Sequence, residues 1–203
     1  MVAYDESTGA MAAARLWWLL KWVGHDAVAV LDGGFNRWAA LGFPRAHGVE
    51  RRSASFFQSF PRPHLTVEAA DVLAVLGDPE HVVLDARAEE RYRGQNETID
   101  PVAGHIRGAL SAPYFDNLDP DGSFKSPHAL RERFLRLTGR RDAAHIVFYC
   151  GSGVTAAHNV LAFAYAANGM PRLYAGSWSE WITDPSRPIA TGSQLERKQD
   201  SLE

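Results

Sequence analysis

Cysteine is almost absent from this sequence, since Cys150 is the only one among 203 residues. One thiol excludes an intrachain disulfide framework and a cysteine-rich zinc site, and it is typical of proteins of the reducing cytoplasm. The eight histidines lack the spacing of metal ligands, and no motif for an organic cofactor is present. We therefore expect a cytoplasmic protein without a metal or a cofactor.

Neither a strong charge of one sign nor a long apolar run is present. The net charge of -3 gives no general attraction to nucleic acid or to an anionic membrane. The most apolar stretch, residues 10–23, is too short to span a bilayer and contains Arg15 and Lys21. The residues after Met1 lack the basic start and apolar core of a signal peptide. We therefore expect no nucleic-acid partner and no membrane partner.

The single cysteine follows a hydrophobic run, residues 145–149, and opens the segment 150–155, Cys-Gly-Ser-Gly-Val-Thr, before a long apolar pattern. This order predicts a strand, a tight loop and a helix. A thiol at such a junction lies beneath backbone N–H groups at the positive end of a helix dipole, which favours the nucleophilic thiolate. A lone cysteine is more often a small buried hydrophobe. Two adjacent glycines are not needed for that role, so the segment favours chemistry.

Two stretches of the chain resemble each other. In each, a short apolar strand leads through a loop into an apolar helix, and equivalent tyrosines, Tyr4 and Tyr149, precede the two loops. Asp5 therefore stands where Cys150 stands in the other copy. Because a carboxylate cannot act as a sulfur nucleophile, we expect the first copy to be a structural or substrate-shaping partner.

The rest of the chain alternates strands with helices, which predicts an α/β fold with mainly parallel sheets flanked by helices. We expect a helix that begins at residues 66–68, a buried strand at 81–85, and a helix that begins at Ser126-Pro127. Ligands bind at the carboxyl ends of parallel strands. Both Cys150 and the segment 85–87, Asp-Ala-Arg, are expected there.

We divide the chain into four segments by composition. Residues 1–44 form a partial first domain, 45–63 an arginine- and proline-rich linker, 64–190 a complete second domain, and 191–203 a polar tail. Because nothing before Tyr4 matches what precedes the second loop, we expect the chain to be truncated at its N-terminus. It is then a fragment, a sequence with a misassigned start codon, or a protein whose first half is a genuine remnant. An incomplete first domain exposes apolar surface, so we also expect weak stability or self-association.

These residues resemble the tandem rhodanese-type sulfurtransferases, which have a catalytic cysteine on a six-residue loop of the C-terminal domain and an inactive N-terminal copy. The loop itself is similar to that of 3-mercaptopyruvate sulfurtransferases, whereas the thiosulfate-preferring branch has basic residues just after the cysteine. Further segments that match family signatures are 85–87, 91–94 and 104–109, together with 24–26 and 31–34 in the first copy.

The resemblance implies a mechanism. The Cys150 thiolate would take sulfur from 3-mercaptopyruvate, leave pyruvate, and pass sulfur from the resulting persulfide to a thiol, thioredoxin or cyanide. Ser152 would take part in proton transfer, and Arg91 would bind the substrate carboxylate. Loop N–H groups would bind the anionic sulfur, as in an oxyanion hole. The residues that contribute them are Gly151, Gly153, Val154 and Thr155.

Some roles stay open at this point. Arg91 could instead pair with a neighbouring glutamate, and Arg87 could assist binding or simply pair with Asp85. His105 would support its loop. Some family members have a further arginine near the position of Asp100, and that contact is absent here. The histidine and aspartate of the family's proton relay lie in a part of the first domain that this sequence lacks.

Three other functions remain as alternatives. One is a thiosulfate:cyanide sulfurtransferase. A second is a phosphatase or arsenate reductase of the same fold, although those loops are longer and end in an arginine, where this chain has Thr155 and Ala156. The third is a non-catalytic truncated remnant that carries persulfide sulfur or only binds partners.

Overall fold

The computed structural model of the protein describes residues 1–49, 51–167 and 169–193, so residues 194–203 of the predicted tail lie outside it. The helices are α1 Ala12–Trp22, α2 Gly34–Ala40, α3 Ala69–Val75, α4 Glu89–Arg93, α5 Pro127–Thr138, α6 Val154–Ala167 and α7 Ser177–Trp181. The strands are β1 Val2–Ala3, β2 Ala29–Val30, β3 Thr66–Val67, β4 Val82–Asp85, β5 His105–Ile106, β6 Leu110–Ser111, β7 Ile146–Tyr149, β8 Arg172–Tyr174 and β9 Ile189–Ala190.

Five strands form a parallel sheet in the order β3-β8-β7-β4-β6. The central strands β4 and β7 are buried along their whole length, which explains why both read as continuous apolar runs. Alternate side chains of β7 enter two different apolar clusters, because Ile146 and Phe148 point to one face and Val147 and Tyr149 to the other. The α/β fold with a mainly parallel sheet is therefore confirmed.

Helices cover both faces of this sheet. On one face, α5 and α6 contribute Leu130, Phe134 and Val160 to the cluster that contains Phe148. On the other face, α3 and α7 supply the buried Val72, Trp178 and Trp181. The sheet is thus the middle of three layers, and the carboxyl ends of β4 and β7 lie side by side in register.

The first copy of the repeat has the same strand–helix–strand–helix order, from β1 through α1 and β2 to α2. Its two strands pair in parallel, and α1 packs against α6. Trp17 and Trp18 of α1 are buried in the same cluster as Phe148, so both copies share one apolar core. Val2 and Tyr4 are 60% and 61% exposed, so part of the apolar surface is open to solvent. Weak stability or self-association stays a prediction.

One predicted helix start, at residues 66–68, is right only at its last residue, Glu68, which is the N-cap of α3, and another is right throughout. Thr66 and Val67 form strand β3, paired with β8, and α3 begins only at Ala69. Pairing across the sheet decides this, since β-branched side chains suit a strand at least as well as a helix. At the start of α5, Ser126 Oγ accepts the N–H of Ala129 at 3.2 Å, and Pro127 occupies the first helical position, as predicted.

The segment predicted as a linker, 45–63, has no helix or strand over residues 45–49 and 51–62, which are almost all exposed. Its last residue begins a 3-10 helix, Pro63–Leu65. The division of the chain into domains stays an interpretation. Among the described residues, no helix has both the length and the apolar character that crossing a membrane requires.

A buried polar cluster lies beside α6. Asn117 Nδ2 donates to Asn159 Oδ1 at 2.6 Å, and Arg133 Nη1 donates to Asn117 Oδ1 at 3.0 Å. His158 belongs to the same cluster and stacks on Phe124 with ring centroids 4.7 Å apart. Burial, aided by the charge of Arg133, lowers the pKa of His158 to about 3, so the imidazole is neutral in the folded protein.

This pKa predicts a loss of stability in mild acid. The unfolded chain binds a proton at His158 below about pH 6.5, whereas the folded chain does so only near pH 3. The stabilisation from the neutral imidazole is complete above the first value and is lost as the pH falls towards the second. We expect His158 to account for about 2 kcal/mol of lost unfolding free energy between pH 7 and pH 5.

Urea unfolding at both pH values tests this prediction. In His158→Gln an amide that can still bond to Asn117 replaces the titrating imidazole, so the variant should lose about 2 kcal/mol less than the wild type over the same pH interval. Equal losses in the two proteins would contradict it.

Candidate active site

The nucleophile candidate lies at the carboxyl end of β7. Cys150 is 2% exposed, yet it borders an open cavity of about 350 Å³. The same cavity is bordered by Ser152 of the loop, Arg91 of α4 and Asp100, and by Met11 from the first copy. The tertiary structure therefore brings the predicted cysteine, serine and arginine to one cavity, and the first copy supplies part of its wall.

The loop presents a row of free backbone donors. The N–H groups of residues 151–155 donate to no acceptor among the described residues. They lie at the N-terminus of α6, a helix of 14 residues, where unpaired N–H groups and the helix dipole favour an anion. This arrangement suits a thiolate, or a persulfide anion, on Cys150.

The α7 segment fixes the backbone of the loop. Cys150 N–H donates to Ser177 Oγ at 3.1 Å, and the carbonyl oxygens of Cys150 and Gly151 accept the N–H groups of Trp178 and Ser179 at 2.9 and 3.0 Å. Ser177 has a φ of 56°, an unusual value for a residue with a side chain. Sequence reasoning missed Ser177 and Ser179, because no local pattern shows that a residue 27 positions away contacts the loop.

The two glycines of the loop differ in what they permit. Gly153 has a φ of +76°, and a Cβ there would lie 2.6 Å from the carbonyl oxygen of Ala175, so only glycine fits. Gly151 has no such conflict, because its Cβ would lie 3.7 Å from Arg91 Nη1. A Cβ at Gly151 would therefore only fill the space between the loop and Arg91.

A cation from the first copy reaches the loop. Arg15 of α1 donates from Nη1 to the carbonyl oxygen of Gly153 at 3.2 Å, and its guanidinium lies 5.0 Å from the Trp18 ring. Burial lowers the pKa of Arg15, and the charge of Cys150 partly offsets that effect. The apolar pattern of α1 predicts a helix but does not show which of its polar residues faces the loop, so Arg15 was also missed.

The equivalent loop of the first copy is occupied by its own side chain. The Asp5 carboxylate accepts the backbone N–H groups of Ser7 and Gly9 at 3.1 and 2.9 Å, and those of Met11 and Ala13 at 3.4 and 3.2 Å. The donors that remain free around Cys150 are thus already used around Asp5. This contact fits a structural role for the first copy.

Arg91 lies beside the cavity and is paired with two carboxylates. Its Nε and Nη2 atoms bond to Glu97 at 3.0 and 2.9 Å, and Nη2 also lies 2.9 Å from Asp100 Oδ2. Burial would raise the pKa of Glu97, but hydrogen bonds from Arg91 and from backbone N–H groups outweigh it and lower that pKa. Nη1 has no acceptor among the described residues, so one arm of Arg91 is available to a substrate.

Arg87 is held more tightly. It is 3% exposed, makes three side-chain bonds to Asp85 at 2.7 to 3.1 Å, and donates to the Gly104 carbonyl oxygen at 2.6 Å. Burial would lower the pKa of Arg87, but Asp85 and Glu97 raise it further than burial lowers it. The ion pair with Asp85 is therefore present, and Arg87 also borders the cavity, so its assistance in binding stays a prediction.

His105 lies on β5, outside the residues that border the cavity. Its Nδ1 lies 2.6 Å from the Tyr92 carbonyl oxygen, and its ring stacks on Tyr92 at a centroid distance of 3.7 Å. These contacts fit a supporting role. Within residues 1–49, 51–167 and 169–193, no group of three or more His, Cys, Asp or Glu side chains could hold a metal ion.

Comparison with known protein families finds a match to the part of the chain that contains this site. The family model described as the Rhodanese-like domain matches residues 68–184, which include the whole Cys150 loop. The chain belongs to the rhodanese family. The matched segment therefore contains the Cys150 loop, Arg91 with its two carboxylate partners, and α7.

Named relatives extend the likeness to the first copy. A protein of Pseudomonas aeruginosa named "Probable 3-mercaptopyruvate sulfurtransferase" is 51% identical over 95% of this chain and 68% of its own length. The thiosulfate sulfurtransferase of Mus musculus is 35% identical over 90% of this chain and 62% of its own length. The chain thus spans about two thirds of these curated relatives.

A solved structure shows the same arrangement. The 3-mercaptopyruvate sulfurtransferase from Leishmania major superposes with a TM-score of 0.75 and 30% sequence identity, covering 90% of this chain and 51% of that one. The relatives named here are sulfurtransferases.

Proposed function

We propose that this protein transfers sulfur from 3-mercaptopyruvate to a thiol or cyanide through a persulfide on Cys150. The observation that carries the proposal is the Cys150 loop itself, whose free N–H groups face a cavity that also holds Arg91. The relationship to the Pseudomonas protein supports the choice of donor.

In the proposed first step, sulfur moves from the donor to Cys150. The Cys150 thiolate attacks the sulfur of 3-mercaptopyruvate and forms the S–S bond of the persulfide. The C–S bond breaks, and its electron pair passes to the methylene carbon, which takes up the thiol proton of the donor to give pyruvate. In the second step an acceptor thiolate or cyanide attacks the outer sulfur, and Cys150 leaves as thiolate.

Each part of the site has a role in this scheme. The free Nη1 of Arg91 would bind the substrate carboxylate. The N–H groups of residues 151–155 would bind the persulfide anion. Ser152 is exposed, and its hydroxyl has no partner among the described residues, so it is free to relay the proton. We further propose that thioredoxin or a small thiol is the acceptor, in the reducing cytoplasm.

Thiosulfate is the second candidate donor, favoured by the likeness to the mouse thiosulfate sulfurtransferase. Here the thiolate would attack the outer sulfur, the S–S bond of the donor would break, and sulfite would leave with the electron pair. The loop has no basic residue after Cys150, so 3-mercaptopyruvate remains the preferred donor in our proposal.

Intact-mass measurement of the purified chain tests the proposal. After mixing with 3-mercaptopyruvate we expect one added sulfur and one released pyruvate per chain. The added sulfur should be lost again on addition of cyanide. Addition only with thiosulfate would assign the thiosulfate activity. No addition with either donor, from a chain that circular dichroism shows to be folded, would overturn the proposal and favour the non-catalytic remnant.

The same experiment with Arg91→Met tests carboxylate binding. We expect the variant to need about a hundredfold more 3-mercaptopyruvate for the same mass shift, since the charge-assisted hydrogen bond from Nη1 is lost. An unchanged concentration dependence would remove Arg91 from the site.

A further inference from the structure

Asp100 brings a negative charge into the cavity that receives the anionic donor. Its Oδ2 lies 2.9 Å from Arg91 Nη2, and a Cβ on Gly151 would lie 3.9 Å from the same oxygen. The carboxylate is therefore next to the residue that follows the nucleophile. Its side chain is only 7% exposed, so water screens this charge poorly.

The position of Asp100 is fixed by the loop it faces. Ser179 Oγ lies 2.8 Å from Asp100 Oδ1 and 2.8 Å from the carbonyl oxygen of Gly151, and its single proton can be donated to either. Asp100 is thus tied on one side to Arg91 and on the other to α7 and the loop. It cannot swing away from a bound donor without losing both contacts.

We propose that Asp100 is a specificity-determining residue that disfavours dianionic sulfur donors relative to monoanionic ones. The inference rests on the proposed function, since it concerns the donor of the same reaction. Any donor that contacts both Cys150 and Arg91 lies within a few ångströms of the Asp100 carboxylate. A donor with two negative charges is therefore repelled by Asp100 more strongly than a donor with one.

Two donors of the same chemistry but different charge isolate the effect. Thiosulfate is a dianion, and methanethiosulfonate is a monoanion in which a methyl group replaces one charged oxygen. In both, the Cys150 thiolate attacks the outer sulfur and the S–S bond of the donor breaks. The electron pair leaves with sulfite in the first case and with methanesulfinate in the second, so the ratio of the two persulfide-formation rates reports the extra charge.

We expect Asp100→Asn to raise the rate ratio of thiosulfate to methanethiosulfonate about tenfold over the wild type. This is less than an unpaired unit charge would give at such a distance, because the ion pair with Arg91 offsets part of the Asp100 charge. Asp100→Ser, a second variant without the charge, should raise it similarly. Asp100→Glu keeps the charge and should leave the ratio near the wild-type value. Asp119→Asn removes an exposed carboxylate elsewhere and is the matched control for net charge.

The outcomes separate this inference from the proposed function. If the wild type forms a persulfide but the ratio stays unchanged in folded Asp100→Asn and Asp100→Ser, the role of Asp100 is wrong and the sulfurtransferase proposal stands. If the wild type forms no persulfide with these donors or with 3-mercaptopyruvate, the proposed function fails and this inference fails with it. A tenfold change that shrinks at high salt supports the electrostatic cause.

Discussion

Cys150→Ser is expected to abolish sulfur transfer, with turnover reduced by at least about a thousandfold, as when the nucleophile of other covalent enzymes is removed. A serine hydroxyl is not ionised at neutral pH and cannot hold a transferable sulfur. The chain has no other cysteine, so no second thiol can replace the first. The substitution changes one atom of a buried side chain, and the backbone bonds that hold the loop do not involve that atom.

Pyruvate release and intact mass after 3-mercaptopyruvate measure the effect. Circular dichroism and urea unfolding show whether the fold is kept, and Cys150→Ala provides a variant without a hydroxyl. Turnover within tenfold of the wild type in either variant would show that Cys150 is not the sulfur carrier.

Arg87→Met is expected to lower the free energy of unfolding by about 3–5 kcal/mol, the usual effect of removing one partner of a buried ion pair. Methionine has a similar volume but no charge, so Asp85, which is 0% exposed, and Glu97 would lose a shared cation. The Gly104 carbonyl oxygen would lose its donor as well. The destabilisation should therefore come from uncompensated buried charge rather than from a cavity.

Urea unfolding compares this variant with a surface control. Arg37 pairs with Asp121 while their side chains are 34% and 53% exposed, so Arg37→Met should cost less than about 1 kcal/mol. The double variant Arg87→Met with Asp85→Asn should lose less than the two single variants together, because the second change removes one of the stranded charges. A loss for Arg87→Met as small as that of Arg37→Met would mean that the buried pair is not a stabilising unit.

Local patterns were enough to predict the parts of the fold that depend on local contacts. The apolar run before Cys150 is β7, the loop follows it, and α6 begins four residues later. The repeated strand–loop–helix unit is present twice, and the N-cap at Ser126 is where serine and proline predict it. These features follow from side-chain periodicity and backbone capping, which act over a few residues.

Other features depend on which distant residues the sheet brings together. The ion pair considered for Arg91 was one with a neighbouring glutamate, but its partners are Glu97 and Asp100, on the loop beyond α4. Substrate binding by Arg91 stays a prediction. Pairing with β8 made Thr66 and Val67 a strand, although the local sequence had indicated the start of a helix.

The sequence by itself determined the candidate nucleophile, the position of its loop and the order of strands and helices around it. Only the tertiary structure decided which charges surround that loop, because Arg15 and Asp100 reach it from elements far apart along the chain. Charge acts through space over several ångströms, whereas sequence patterns report only neighbours along the chain. For that reason the sequence was enough to predict a candidate nucleophile, whereas the charged groups expected to select its substrate could be found only in the tertiary structure.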